Sequence, residues 1–240
     1  MKKVMKAVAA LMLMTAVVIA AGCKKNDDLG EINGGGNNGG GLNGHEYVDL
    51  GLPSGTLWAK CNVGAIYPEQ PGYYFAWGEI EPKTTYEWGT YNYCNGDGKS
   101  LTKYCTRAEY GYNGFVDNLT ALLPNDDAAT VNWGNGWRMP TKNEWEELCQ
   151  NTITSWTTQN GVNGMLFTSF NGKTIFFPAA GWKNGTTSEQ VSDCGFYWSG
   201  LCSNQPNRPW NFGFDLDYFE VDNDGQRYLG ASVRPVRSAN

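Results

Sequence analysis

Between Cys194 and Arg237 the chain interleaves two kinds of residue. Trp198, Trp210, Phe212, Phe214, Leu216, Phe219, Val221 and Val233 recur as an apolar framework, and Asn211, Gly213, Asp215, Asp217, Tyr218, Glu220 and Asp222 stand between them. Alternation sends successive side chains to opposite faces of a strand, so the first set predicts a core face and the second a solvent face. By that alternation Trp210 belongs to the core, and Tyr218 is the exposed aromatic. Amides, carboxylates and a phenol on a rigid support can hydrogen-bond and stack, which is the chemistry of recognition. A nucleophile with a base and an orienting group is missing from the stretch.

Other chemistries have fewer residues to draw on. His45 is the sole histidine, and it reads as a solvated residue near a domain edge. With one histidine and no Cys-x-x-Cys pair, a zinc site is not expected. Beyond Cys23 the cysteines are Cys61, Cys94, Cys105, Cys149, Cys194 and Cys202. An even set permits disulfides, with Cys94–Cys105 and Cys194–Cys202 as the local candidates; buried free thiols are the alternative. Asp193 beside Cys194 opposes thiolate formation, whereas Arg208 could approach either thiol of the second pair. Glu220, Asp222, Asp224 and Gly225 start like a calcium loop, but position 12 from Glu220 is Ala231, so the loop lacks its bidentate glutamate. These residues read instead as a turn. No metal or cofactor is expected.

The elements that must hold these residues are mostly strands. Tyr47–Gly51 and Leu57–Ala59 are short strands around Pro53-Ser54-Gly55, and Tyr73–Gly78 is a third. Met165–Ser169 and Lys173–Phe177 flank Asn171-Gly172, a hairpin signal. Phe196–Ser199, Trp210–Leu216, Phe219–Asp222 and Gly230–Val236 follow, with a tight turn at Asp217-Tyr218. The best helix runs from Thr141 to about Gln150, because Thr141 and Glu144 form a capping box and Trp145 and Leu148 an inward stripe. Asp126-Asp127-Ala128-Ala129 starts a second, shorter one. Residues 80–125 show no periodicity and read as a long excursion. With ten Trp, thirteen Tyr and few helix-forming runs, the chain is predicted to be α+β: a twisted antiparallel sheet, one or two helices and long loops.

The first residues describe a location. Lys2, Lys3 and Lys6 precede an apolar run, Ala7–Ala21, that is short for the ~20 residues of a membrane span and fits a secretory signal. Ile19-Ala20-Ala21-Gly22-Cys23 resembles the lipobox of bacterial lipoproteins, and Lys24-Lys25-Asn26-Asp27-Asp28 resembles the surface-export tag of Bacteroides-like bacteria. The expected layout is a signal peptide over 1–22, lipidated Cys23 with a flexible Gly/Asn-rich tether over 23–44, and a binding domain over 45–240. Localisation at the outer membrane, facing the exterior, follows from that reading, with membrane contact through the lipid only. Loss of the three signal-peptide lysines takes the formal charge from -6 to -9, which argues against nucleic acid as a partner.

Five ordered segments carry a resemblance. Tyr47-Val48-Asp49-Leu50-Gly51-Leu52-Pro53-Ser54-Gly55-Thr56-Leu57-Trp58-Ala59 is similar to the opening of the Fibrobacter succinogenes major paralogous domain, found in Bacteroides-type surface lipoproteins. Trp137-Arg138-Met139-Pro140-Thr141 before Glu144, Phe177–Gly181, Tyr197-Trp198-Ser199 and Ser232–Val236 continue it. The resemblance covers residues 46–237 and implies a C-type-lectin-like fold related to formylglycine-generating enzymes. The same fold carries the variable proteins of diversity-generating retroelements, in which asparagine codons are rewritten. That implies a ligand-binding set of Asn204, Asn207, Arg208, Asn211, Gly213, Asp215, Asp217, Tyr218, Asp222 and Asp224, with an unknown protein or glycan as partner. Gln205-Pro206-Asn207 resembles the sugar-selecting triplet of calcium-dependent lectins, but the Trp-Asn-Asp element that should follow is absent. The expected function is a non-catalytic adhesin or receptor. Alternatives are a tip or accessory subunit of a surface fibre, and a formylglycine-generating-type oxidase using Cys194 and Cys202.

Overall fold

The computed structural model describes residues 39–222 and 225–239. The signal segment, Cys23, most of the tether and Asp224 lie outside the described residues. Among these residues fourteen strands and two helices occur in the order β1 (Gly39–Leu42), β2 (His45–Asp49), β3 (Leu57–Ala59), β4 (Tyr74–Phe75), α1 (Ala128–Trp133), α2 (Lys142–Gln150), β5 (Thr152–Gln159), β6 (Val162–Ser169), β7 (Thr174–Pro178), β8 (Trp182–Asn184), β9 (Thr187–Glu189), β10 (Gly195–Cys202), β11 (Pro209–Phe214), β12 (Phe219–Asp222), β13 (Ala231–Ser232) and β14 (Val236–Arg237). Among the described residues no helix is long and apolar enough to cross a membrane. The excursion between β4 and α1 holds short 3₁₀ turns and isolated β-bridges such as Cys94 with Leu101.

The domain is α+β, but its strands form several sheets rather than one. They are ordered β1-β2-β3-β14, β12-β11-β10-β13-β4, β5-β6-β7 and β8-β9. The second is mixed, because β10 and β13 run parallel while its other pairs are antiparallel. The expected strand Gly230–Val236 is split into β13 and β14, which join two different sheets. One stretch of chain thereby ties the N-terminal strands to the C-terminal ones. The tether does not stay free to residue 44 either. Gly39–Leu42 pairs with β2, the Trp137 indole donates to the Leu42 carbonyl at 3.2 Å, and the Asn43 amide donates to the Trp133 carbonyl at 3.0 Å. Backbone pairing needs no side chain, so a glycine run can still add a strand. His45 is half-buried and lies flat on Trp133, with ring centroids 3.8 Å apart, and is not a solvated edge residue.

Helix α2 forms as its capping box predicts. The Glu144 amide donates to Thr141 Oγ1 at 3.2 Å, and Glu144 Oε2 accepts from the Thr141 amide at 2.8 Å. Arg138 forks onto the same carboxylate at 2.7 and 2.6 Å, and the Thr56 hydroxyl adds a bond at 3.1 Å. Burial alone would raise the Glu144 carboxyl, but the bonds from Arg138 and Thr141 outweigh it and hold it below the usual range. Helix α1 is capped by Asp127, whose Oδ1 accepts from the Ala129 and Thr130 amides while Oδ2 accepts from Met139 N at 2.8 Å.

Two cores flank β10. Toward one side Tyr197 joins Trp58, Trp145, Phe167, Phe177, Phe212 and Phe214; toward the other, Phe196 and Trp198 join Phe75, Trp77, Trp137 and Val233. The fully buried Arg234 anchors the C-terminal segment without a carboxylate partner among the described residues. It donates to Asn62 Oδ1 at 2.7 Å and to the carbonyls of Ala59, Lys60 and Phe176 at 3.1, 2.9 and 3.1 Å. Burial lowers its guanidinium to about 10, still charged at neutral pH.

Candidate functional site

Because the five-stranded sheet is packed on both faces, alternation along β11 does not separate inside from outside. Phe212 and Phe214 enter the first core. Asn211 sits opposite Trp198 in the ladder, on the face that belongs to the second core, and is 1% exposed. Its assignment to a solvent face is therefore corrected. Gly213, opposite Glu220, does face open space: a Cβ placed there would meet nothing within 4 Å. Asp222, paired with Asn211, is half-buried. Two framework assignments also change. Trp210 is half-buried at the start of β11, past the edge of the core, with the Lys142 ammonium 4.8 Å from its ring centroid. Leu216 lies in the turn beyond β11 and is 65% exposed.

The turn from β11 to β12 is built by Asp215. Its Oδ1 accepts from the amides of Asp217 at 2.8 Å and Tyr218 at 2.9 Å, and its own amide donates to the Tyr218 carbonyl at 2.9 Å. This carboxylate shapes the turn. Leu216, Asp217 and Tyr218 are left pointing outward, and Tyr218 is 51% exposed. Beside Leu216 and Asp217 opens a cleft of about 430 Å³, lined also by Trp156, Asn163, Gln190, Ser192, Asp193, Cys194 and Asp215. Trp156 is held edge-on to Phe214, with centroids 6.3 Å apart.

Asn204, Asn207 and Arg208 lie at the other end of β11. Six residues of strand at ~3.3 Å each put them ~20 Å from the turn, so the predicted set divides into two groups. In the loop Ser203 Oγ accepts from the Gln205 amide at 3.0 Å and donates to the Arg208 carbonyl. Asn204 is exposed. Asn207 packs against Gly98, and its Oδ1 is buried without a partner among the described residues. Beside it the Trp88 indole donates to Gln226 Oε1 at 2.9 Å. Comparison with protein-family models, with curated proteins and with solved structures returned no match.

The thiols form neither expected disulfide. Neither Cys94 with Cys105 nor Cys194 with Cys202 is disulfide-bonded. Cys194 and Cys202 bracket β10, whose eight residues span ~26 Å, so they cannot meet as a redox pair. The guanidinium beside Cys202 is that of Arg227, with Nη2 3.3 Å from Sγ, rather than Arg208. Burial nevertheless outweighs that charge and pushes the Cys202 thiol up to about 11. Among the described residues no three His, Cys, Asp or Glu side chains gather closely enough to hold a metal ion.

Sequence reasoning missed the cleft's far wall. Trp156 and Asn163 come from β5 and β6, whose hairpin has its own signal in Asn160-Gly161 between two apolar–polar runs. Gln190, Ser192 and Asp193 come from a turn whose residues Gln190 and Ser192 take positive φ of 54° and 72°. Nothing in the local sequence marks that turn as facing the hairpin.

Proposed function

We propose that this chain is the ligand-capturing domain of a cell-surface lipoprotein, and that it binds a protein or a glycan non-covalently at the tip of the β11–β12 hairpin. One observation carries the reading. Leu216, Asp217 and Tyr218 are exposed on a turn that Asp215 fixes, and Leu216 and Asp217 line a cleft together with Trp156. Large aromatic and apolar area beside carboxylates and amides suits either kind of partner, because a rigid ring gives contact area at little entropic cost.

The fold we assign is C-type-lectin-like, of the Fibrobacter succinogenes major paralogous type. Arg138–Glu144 and the Arg234 anchor support it, since they give fold-holding work to the motifs that carry the resemblance. On this reading Cys23 is the lipidated residue of an outer-membrane protein facing the exterior. Exposed Asn204, Asp217 and Tyr218 are the positions a diversifying retroelement could rewrite freely, and buried Asn211 is not among them.

The test is capture of cells displaying the full chain on printed glycan and protein arrays. Leu216→Ala/Asp217→Ala/Tyr218→Ala together should abolish capture and leave the melting temperature unchanged. Capture that survives this change but is lost in Asn204→Ala/Arg208→Ala would move the site to the opposite end of β11 and overturn the assignment.

A further inference from the structure

Strand β5 is the edge of its sheet, and nothing in its sequence guards it. Its eight residues pair with β6 alone, in one register without a shift. Edge strands are ordinarily blunted by lysine, proline, a bulge or a covering segment. Thr152-Ile153-Thr154-Ser155-Trp156-Thr157-Thr158-Gln159 carries no charge and no proline, and six of its eight residues are β-branched or aromatic.

The turn decides which backbone groups face outward. Asn160 and Gly161, with φ of 48° and 82°, make a two-residue turn in which both central residues are left-handed. The flanking pair Gln159 and Val162 then exchanges both its hydrogen bonds. Counting back by twos, Ile153, Ser155 and Thr157 also aim their N–H and C=O groups at β6. Thr152, Thr154, Trp156 and Thr158 aim theirs away from the sheet. Beyond the β5–β6 ladder, no backbone–backbone bond among the described residues takes them up.

We propose that β5 is a self-association edge: two copies of this chain pair β5 against β5, antiparallel, as one six-stranded sheet across a two-fold axis. Outward-facing residues must oppose outward-facing ones, and the register that pairs all four of them with one another has its axis at Ser155. Thr152 then lies opposite Thr158, Thr154 opposite Trp156, Ile153 opposite Thr157, and Ser155 opposite its own copy. A strand without charge meets its image with no like charges opposed. A second copy fits as the occupant on two counts: the axis at Ser155 matches each outward-facing residue to another outward-facing one, and the edge adds no charge to the repulsion between two chains of net -6. Pairing supplies roughly eight backbone hydrogen bonds and covers Ile153, which is 66% exposed in the single chain. The contact is smaller than the ~1,200 Å² of a standard interface, so the dimer is reversible and concentration-dependent. This inference stands apart from the ligand-binding reading.

Sedimentation velocity on residues 24–240 and oxidative cross-linking test it together. The expected result is a monomer–dimer equilibrium, shifted to monomer by Ser155→Lys and by Thr154→Pro, which removes an outward N–H and spares the β5–β6 ladder. Ser155→Cys should give a covalent dimer above the wild-type background on oxidation, because non-hydrogen-bonded partners lie ~4.5 Å apart at Cα. Ile153→Cys should not, since the register separates the two copies of residue 153 by ~13 Å. A wild-type chain that stays monomeric to about 1 mM overturns the proposal. So does a dimer that persists in Ser155→Lys, which keeps the test decisive should Thr154→Pro fail to fold. Equal cross-linking at 153 and 155 overturns it as well.

Discussion

The Trp145 indole lies nearly parallel to the Phe212 ring, with centroids 4.7 Å apart and an interplanar angle of 16°. This contact keys helix α2 to the middle of β11, and so fixes the hairpin whose tip carries Asp217 and Tyr218. Both rings are completely buried. Phe212→Ala should therefore lower unfolding stability by about 3–5 kcal/mol, measured by urea denaturation. A loss under about 1 kcal/mol would mean that the hairpin is not held by the core.

The Arg138–Glu144 fork makes stability depend on acid. The folded Glu144 carboxyl is depressed below its ordinary value of 4.5, so its contribution is fully present above that pH. It is lost as the pH falls through the depressed folded value. Glu144→Gln should flatten that part of the pH–stability curve and leave a smaller constant deficit from the lost ion pair. Urea midpoints collected from neutral pH downward check this. A wild-type slope retained in full by the variant would rule Glu144 out as its source.

Asn211 and Asp217 sit on one hairpin and should respond oppositely to truncation. Asn211 is buried, so Asn211→Ala should cost about 1–3 kcal/mol by leaving polar neighbours unsatisfied. Asp217 is exposed in the turn, and Asp217→Ala should change stability by no more than about 0.5 kcal/mol. Thermal melts of the two variants decide it. Equal tolerance at both positions would return Asn211 to the solvent face.

Local structure was legible in the sequence wherever one short signal suffices. Thr141 with Glu144 announced α2, Asn171-Gly172 announced the β6–β7 hairpin, and the strand expected at Phe196–Ser199 is the middle of β10. What failed was the step from periodicity to exposure. Alternation along β11 was read as core against water, yet Phe196 and Trp198 on neighbouring β10 supply a second core on the supposed solvent face. Burial on that face is set by a strand and loops distant in sequence, and no pattern within β11 contains it. The candidate site was half legible for the same reason. Asp217 and Tyr218 follow from the turn, whereas Trp156 and Asp193 reach the cleft only through tertiary packing.

The thiols supply the last prediction. Cys202 is 8% exposed and pushed up to about 11, and Cys105 is fully buried and raised by burial as well. Attack by a thiol requires its thiolate and access, and both residues lack both in the folded state. At about pH 8 a disulfide-exchange reagent should leave Cys105 and Cys202 unmodified in the native protein. It should label them in denaturant, with peptide mass spectrometry assigning the sites. Half-buried Cys194, at the opposite end of β10 in the wall of the cleft, should be labelled ahead of buried Cys105 and Cys202. If a ligand occupies that cleft, its addition should slow labelling of Cys194 and leave the other rates unchanged. Rapid native labelling of Cys202 would instead mean that the Arg227 guanidinium, 3.3 Å away, overrides burial and yields a reactive thiolate.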